Sequence, residues 1–289
     1  MSATKSDAAL VLQGRRLGLL GGGNMAEALV RGVLNAGSMQ ASSIVASDVS
    51  AERRQFLSDQ LKIASTTDNA EVLRNADLIV LCVKPQQVDD VLKGIAPSFK
   101  ADRHVLASIC AGVTTLRIED LLPANARVIR IMPNTPMLVG LGASCLCKGK
   151  NASDADIAVM DALFQSASLT VRVEERMMDA VTGLSGSGPA YLFYLVEAMA
   201  DAGVAEGFTR EQAVLLASRT VLGAAKMLEE TKLSPEELRR RVTSPNGTTQ
   251  AAVELLDSTD VKPRIVKAIR RAAERSRELG RPVDSSTHR

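Results

Sequence analysis

Histidine is nearly missing from this chain of 289 residues: there are two, His104 inside an apolar stretch and His288 one residue from the end. Imidazole is the usual proton carrier near neutral pH. Neither position suits that task, and His104 reads as a packed or capping residue. Aromatics are also scarce, with five Phe, two Tyr and no Trp, which removes the stacking platform of a single-strand nucleic-acid binder. Lys and Arg number 35 against 33 Asp and Glu, a net charge of +2, too small a field to draw the chain to nucleic acid or an anionic membrane. The four cysteines, Cys82, Cys110, Cys145 and Cys147, contain no CxxC pair. No metal or redox site is therefore expected, and they read as reduced core residues.

No run approaches the roughly 20 apolar residues of a membrane span. The opening MSATKSDAALVLQGRR holds too short an apolar stretch for a signal-peptide core and ends in arginine. The expectation is a cytoplasmic protein in which residues 1–14 form a flexible extension. Catalytic signatures are missing too: there is no HExxH, no P-loop and no GxSxG elbow. Nor is there a Tyr-x-x-x-Lys pair, since Leu195 and Ala198 follow Tyr191 and Tyr194 at that distance. Hard chemistry then falls to a cofactor, and the substrate must need little help with protons. A protonated imine meets that description, because its C=N carbon is already electrophilic.

What is present begins with LGLLGGGNMAEALVRG, residues 17–32. A short apolar run meets Gly21 and Gly23 and passes into a helical pattern, with small Ala26 where the third glycine of GxGxxG often lies. This reads as a dinucleotide-binding turn: Gly21 permits the tight turn, Gly23 admits a pyrophosphate close to the backbone, and the helix N-terminus binds the anion. Up to about residue 173 short apolar runs (44–47, 78–83, 104–110, 127–132, 143–147 and 169–173) alternate with helical stretches (51–61, 69–75, 87–95, 115–121 and 153–165). Such alternation predicts a parallel sheet with helices on both faces and ligands at the carboxyl ends of the strands. Beyond residue 174 the sequence is alanine-rich and helical in period, with Ser234-Pro235-Glu236-Glu237 as an N-cap, first-turn proline and acidic first turn. Its helices are apolar on more than one face, which predicts a bundle formed with a second copy of the chain.

Two stretches of this half, GLSGSGPAYLF (183–193) and TSPNGTTQAA (243–252), read as loops entering helices. Each either aims unpaired N–H groups at a carboxylate or is an ordinary capped helix start, with Asn246-Gly247 making the turn.

Taken in order, GGGNMAEAL, CVKPQ, ICAGVT, VIRIMPNTP, VTGLSGSGPAY and SPNGTTQAA resemble pyrroline-5-carboxylate reductase, the last enzyme of proline biosynthesis, over nearly the whole chain. The resemblance implies an α/β fold: a Rossmann-like dinucleotide-binding sheet (15–173) followed by an all-helical dimerisation and substrate domain (174–289). The active sites would lie between subunits of a homodimer or larger homo-oligomer. It implies hydride transfer from NAD(P)H to the cyclic imine 1-pyrroline-5-carboxylate, giving L-proline. On the cofactor side it implies Leu20, Gly21, Gly22, Gly23, Asn24 and Met25 for the pyrophosphate. Asn69, Cys82, Val83, Lys84 and Pro85 would line the adenosine and nicotinamide side, with Ile109, Cys110 and Ala111 near the nicotinamide. On the substrate side it implies Thr249, whose hydroxyl orients the ring nitrogen, with Thr248, Gly247, Ser244 and Glu175 around it and the 185–188 turn shaping the pocket.

Two positions depart from the pattern. Asn246 stands where glycine is commonest, and asparagine tolerates the left-handed backbone such a turn needs. Asp48, at the end of the second strand, suits the ribose hydroxyls of NAD and opposes a 2′-phosphate, whereas Arg53 and Arg54 could restore phosphate binding or be surface charge; the resemblance tilts the choice slightly to NADPH. Two rival readings remain. A beta-hydroxyacid dehydrogenase should carry a lysine on the first long helix of the second domain, and residues 188–205 contain none. A non-enzymatic dinucleotide-binding scaffold should have damaged substrate loops, and SGSGP and GTT are intact.

Overall fold

The computed structural model describes residues 10–280. They divide into two compact units, one running through Gly186 and taking in the chain again from Ala272, the other Ser187–Arg271. The change in sequence rhythm near residue 173 marks where the strands stop, a little before that division. His288 and residues 1–9 of the expected extension lie outside the described residues. Residues 10–12 are helical and Leu12 is buried in the core, so this part of the extension is packed.

The first unit is built on an eight-stranded sheet of order β3-β2-β1-β4-β5-β6-β7-β8. The strands are β1 (Leu17–Leu20), β2 (Ile44–Ser47), β3 (Ala64–Thr66), β4 (Leu78–Leu81), β5 (Val105–Ser108), β6 (Arg127–Met132), β7 (Gly142–Lys148) and β8 (Ser168–Arg172). Between them run α1 (Asn24–Asn35), α2 (Ala51–Leu61), α3 (Asn69–Asn75), α4 (Val88–Ile95), α5 (Thr115–Glu119) and α6 (Asp154–Gln165). In β4 every residue is buried: Leu78 and Val80 join one core layer, Ile79 and Leu81 the other. Side chains alternate faces along a strand, so a run apolar at every position demands cover on both sides.

The sheet is not wholly parallel. β1 to β6 pair in parallel, but β6 and β7 are antiparallel, and β8 is again parallel to β7. Residues 133–141 between β6 and β7 are too few for the crossover of about a dozen residues that a parallel partner requires. β3 also escapes the sequence reading. It is the three-residue run Ala-Ser-Thr, with no apolar alternation to announce it, and it forms because β2 offers an unpaired edge (Val45 opposite Ala64).

Caps set several helix starts. Ser50 accepts the Arg53 N–H at the head of α2, and Ser153 and Asp156 form a reciprocal capping box on α6. The second unit is helical: α8 (Gly188–Ala205), α9 (Arg210–Thr231), α10 (Pro235–Arg241), α11 (Thr248–Ser258) and the start of α12 (Val261–Leu279), after the short α7 (Met178–Val181) of the first unit. The predicted Ser234 cap is in place, accepting the Glu237 N–H at 3.2 Å with Pro235 in the first turn. Large apolar side chains remain exposed in this unit, among them Phe193, Leu215 and Leu255. No helix of the described residues is long and apolar enough to cross a membrane.

His104 packs and caps. It is 1 % exposed, accepts the Lys100 N–H through Nδ1 at 3.0 Å and donates from Nε2 to the Leu73 carbonyl at 3.1 Å. Burial pulls its pKa below the ordinary 6.5, partly offset by the Leu73 hydrogen bond. The unfolded chain then takes up the proton first, so this contribution to stability is complete above the ordinary value and is lost as pH falls toward the folded one. Urea unfolding from about pH 7.5 down to about pH 5 should show a decline that His104→Gln flattens; parallel declines in the two proteins would refute it.

Candidate active site

β1 and β4 are neighbours although β2 and β3 intervene in sequence, so the order reverses between them and a crevice opens at their carboxyl ends. Gly21 follows β1 with φ +97°, its N–H donating to the Ser47 carbonyl at 2.9 Å, and a Cβ there would stand 2.9 Å from the Cys82 carbonyl oxygen. Glycine is therefore required twice over, for backbone conformation and for space. Gly22 donates to Asp48 Oδ2 at 2.8 Å. Gly23 is the N-cap of α1, in extended conformation and without a side-chain cap, so the first N–H groups of the helix are left for a ligand.

This end of the sheet holds a cleft of about 500 Å³ lined by Gly23, Asn24, Met25, Cys82, Val83, Pro85, Ile109, Cys110 and Ala111, all expected cofactor residues. The remaining expected ones lie around it. Leu20 is buried beneath, Gly21 and Gly22 form the turn, and Asn69 Oδ1 accepts the Ser47 hydroxyl. Lys84 caps a short turn that begins at Pro85. The walls are apolar and weakly ionising: burial holds the Cys82 thiol well above its usual pKa and pushes Cys110 to about 11. All four cysteines are free thiols. A helix N-terminus, a turn open to close approach and a largely apolar chamber have the character of a dinucleotide site.

Arg53 is not loose surface charge. Its Nε donates to the Gly22 carbonyl, and its Nη2 donates to the Gly23 carbonyl at 3.3 Å and to Glu27 at 2.6 Å. The guanidinium lies 4.5 Å from the Phe56 ring centre. Burial alone would raise the Glu27 carboxyl, but hydrogen bonds from Arg53 and Arg31 outweigh it and leave the group below its usual pKa. The glycine turn is thus braced by a residue of another helix, a role that no local spacing announces.

Residues 183–193 are not the expected loop. A π-helical turn, Thr182–Gly186, continues α7, and α8 begins at Gly188 with Pro189 in its first turn. The Ser185 carbonyl is met by Asn134 Nδ2 at 3.1 Å, while Asn134 Oδ1 accepts the Ala143 N–H at 2.8 Å. Wide π turns leave backbone groups needing such partners and recur at functional sites. The second stretch is as expected. Asn246 takes the left-handed conformation at φ 56°, and Gly247 is the N-cap of α11 without a side-chain cap. Thr248 and Thr249 occupy its first turn, and Ser244 accepts the Gly247 N–H at 3.0 Å through its carbonyl.

Glu175 belongs to the first unit, where Thr115 donates to it from N at 2.7 Å and from Oγ1 at 2.6 Å. Arg130, its side chain 4 % exposed in the middle of β6, faces Glu175 at 3.5 Å and Asp179 at 3.3 Å. Asp179 also accepts the Ser276 hydroxyl at 2.7 Å. The charge of Glu175 adds to burial in pushing the nearby Cys147 thiol to about 12, against the opposing effect of Arg130. The sequence reading assigned Arg130 nothing; its one signal is a charge set inside the apolar run RVIRIM.

Comparisons with known proteins agree with this geometry. The family profile for pyrroline-5-carboxylate reductase dimerisation matches residues 175–279, and that for coenzyme F420-dependent NADP oxidoreductase matches residues 16–112. A pyrroline-5-carboxylate reductase of Methanosarcina acetivorans is 42% identical over 93% of this chain and 100% of its own length. That of Pseudomonas aeruginosa is 40% identical over 91% and 96%. Among solved structures, a pyrroline-5-carboxylate reductase of Coxiella burnetii superposes with TM-score 0.86 at 34% identity, covering 93% of this chain and 99% of that one. The Plasmodium falciparum enzyme with NADP bound gives 0.84 at 29%, covering 93% and 99%. With identity of this order sustained from the glycine turn through the helical unit, the chain belongs to the pyrroline-5-carboxylate reductase family.

Proposed function

We propose that this chain reduces the C=N bond of 1-pyrroline-5-carboxylate with NAD(P)H to give L-proline, acting as a homodimer or larger homo-oligomer in the cytoplasm. The observation that carries this reading is the full-length likeness to pyrroline-5-carboxylate reductases. Residues 15–173 hold the dinucleotide and residues 174–289 supply dimerisation and substrate contacts. The apolar side chains exposed on the helical unit give a second copy a surface to bury. Four free thiols suit a reducing compartment.

A nicotinamide bound in the cleft would supply the hydride. Met25 and the first N–H groups of α1 would hold the pyrophosphate, and Val83, Ile109 and Cys110 would keep water from the reacting face. The uncapped N-terminus of α11 receives the substrate carboxylate through the Thr248 N–H, and the Thr249 hydroxyl orients the ring nitrogen. Ser244 and Gly247 shape that turn, and Glu175 lies on the substrate side. No strong acid is needed, because the imine is reduced in its protonated form. Incubation of the purified chain with pyrroline-5-carboxylate and either NADH or NADPH should yield proline and oxidised nucleotide in equal amounts. Tight nucleotide binding with no turnover would reject the assignment.

A further inference from the structure

One wall of the cleft is the stretch Ile109, Cys110 and Ala111, and its start is held by the sheet. The Ile109 N–H donates to the Leu81 carbonyl at 3.2 Å, and the Cys110 thiol donates to the Val83 carbonyl at 3.2 Å. Past Cys110 the chain turns through Gly112 at φ +78° and enters α5. What this second half rests on comes from the far end of the sequence. A Cβ on Gly112 would stand 2.6 Å from the Ser276 carbonyl oxygen and 2.8 Å from the Gly280 nitrogen, and a Cβ on Gly280 would run into the Gly112 carbonyl. Two glycines thus let the end of α12 lie backbone against backbone on the continuation of the wall.

That end of α12 is itself anchored. Ser276 is buried; its carbonyl accepts the Gly280 N–H at 3.2 Å and its hydroxyl donates to Asp179 at 2.7 Å. Asp179 faces Arg130, Arg130 faces Glu175, and Glu175 accepts the N–H and the hydroxyl of Thr115 at the head of α5. The segment from Gly112 to Thr115 is therefore held at both ends by groups that meet at Arg130. Neither Ser276 nor Gly280 lines the cleft.

We infer that Gly112, Ser276 and Gly280 are positioning residues for the nucleotide: the end of α12 sets where the Ile109–Ala111 wall stands, and nucleotide affinity depends on it. This rests on the placement of the dinucleotide in the cleft. The test is fluorescence titration of the full chain with NADH and with NADPH, beside urea denaturation, for the wild type, Gly280→Ala, Ser276→Ala and Gly23→Val. Gly280 is not at positive φ, so alanine there acts by pushing on Gly112 and not through backbone strain. It should weaken both nucleotides about tenfold, the scale of one misfitted methylene in an apolar pocket. Ser276→Ala adds no bulk and frees the turn from Asp179, and should weaken both about threefold. Gly23 is extended and a Cβ there meets nothing within 4 Å, so valine fits the protein, intrudes only on a ligand at α1 and should abolish binding.

Wild-type affinity in Ser276→Ala, or in Gly280→Ala, overturns the inference, and a lowered urea midpoint beside unchanged affinity reduces the contact to packing. Ser276→Ala decides alone if Gly280→Ala does not fold. Undiminished nucleotide binding by Gly23→Val rejects the cleft placement itself, and the inference with it.

Discussion

Arg130→Met should destabilise the native protein by about 3–5 kcal/mol, the usual cost of removing one partner from a buried ionic cluster. The guanidinium is almost fully enclosed and faces two carboxylates, Glu175 and Asp179. Methionine fills similar volume without charge, so the loss is electrostatic more than steric: both carboxylates would be left with hydroxyl and amide donors but no cation. The effect should reach beyond β6. Asp179 precedes the point where the chain leaves the first unit, and Ser276, which donates to Asp179, follows the point where it returns. Urea denaturation at neutral pH measures the loss, and adding Asp179→Asn to the variant should recover part of it. A loss under about 1 kcal/mol would mean that the cluster is no more than a surface-type pair.

Thr249→Ala should lower kcat/KM with pyrroline-5-carboxylate on the order of a hundredfold, the scale seen when one preorganised hydrogen-bond donor is removed from an active site. The same change should leave folding nearly intact. Thr249 lies in the first turn of α11, half-buried, and alanine is the better helix former by about 0.5 kcal/mol. Nucleotide affinity should also hold, because the cleft residues are elsewhere in the chain. Thr249→Ser, which restores the hydroxyl, should recover most of the rate. Full activity in the alanine variant would remove Thr249 from the mechanism, and a parallel loss of nucleotide binding would assign it a different role.

Much of this molecule was legible in the amino-acid sequence because the signals were local. The apolar runs of β2 and β6, the cap at Ser234, the glycine turn after β1 and the left-handed Asn246 each follow from a few adjacent residues and their backbone preferences. The cleft residues were legible as well, because each belongs to a short motif at the end of a strand. Local chemistry therefore determined the Rossmann-like order of elements, the helical second half and the residues that line the cleft.

Tertiary structure decided what depends on partners far apart in sequence. The strand β3 exists only because β2 offers it an edge, and β7 runs antiparallel because the connection before it is short. The stretch at 183–186 closes into a π turn whose freed carbonyl is met by Asn134. Arg53, read in isolation as a phosphate ligand or a surface charge, is drawn under the glycine turn by Glu27 and Phe56. Arg130 gains its meaning only when Glu175, Asp179 and Ser276 converge on one place. The physical reason is the same in each case: propensity and periodicity are properties of neighbours along the chain, whereas the pairing of a charge or a sheet edge is fixed by whatever the fold brings beside it.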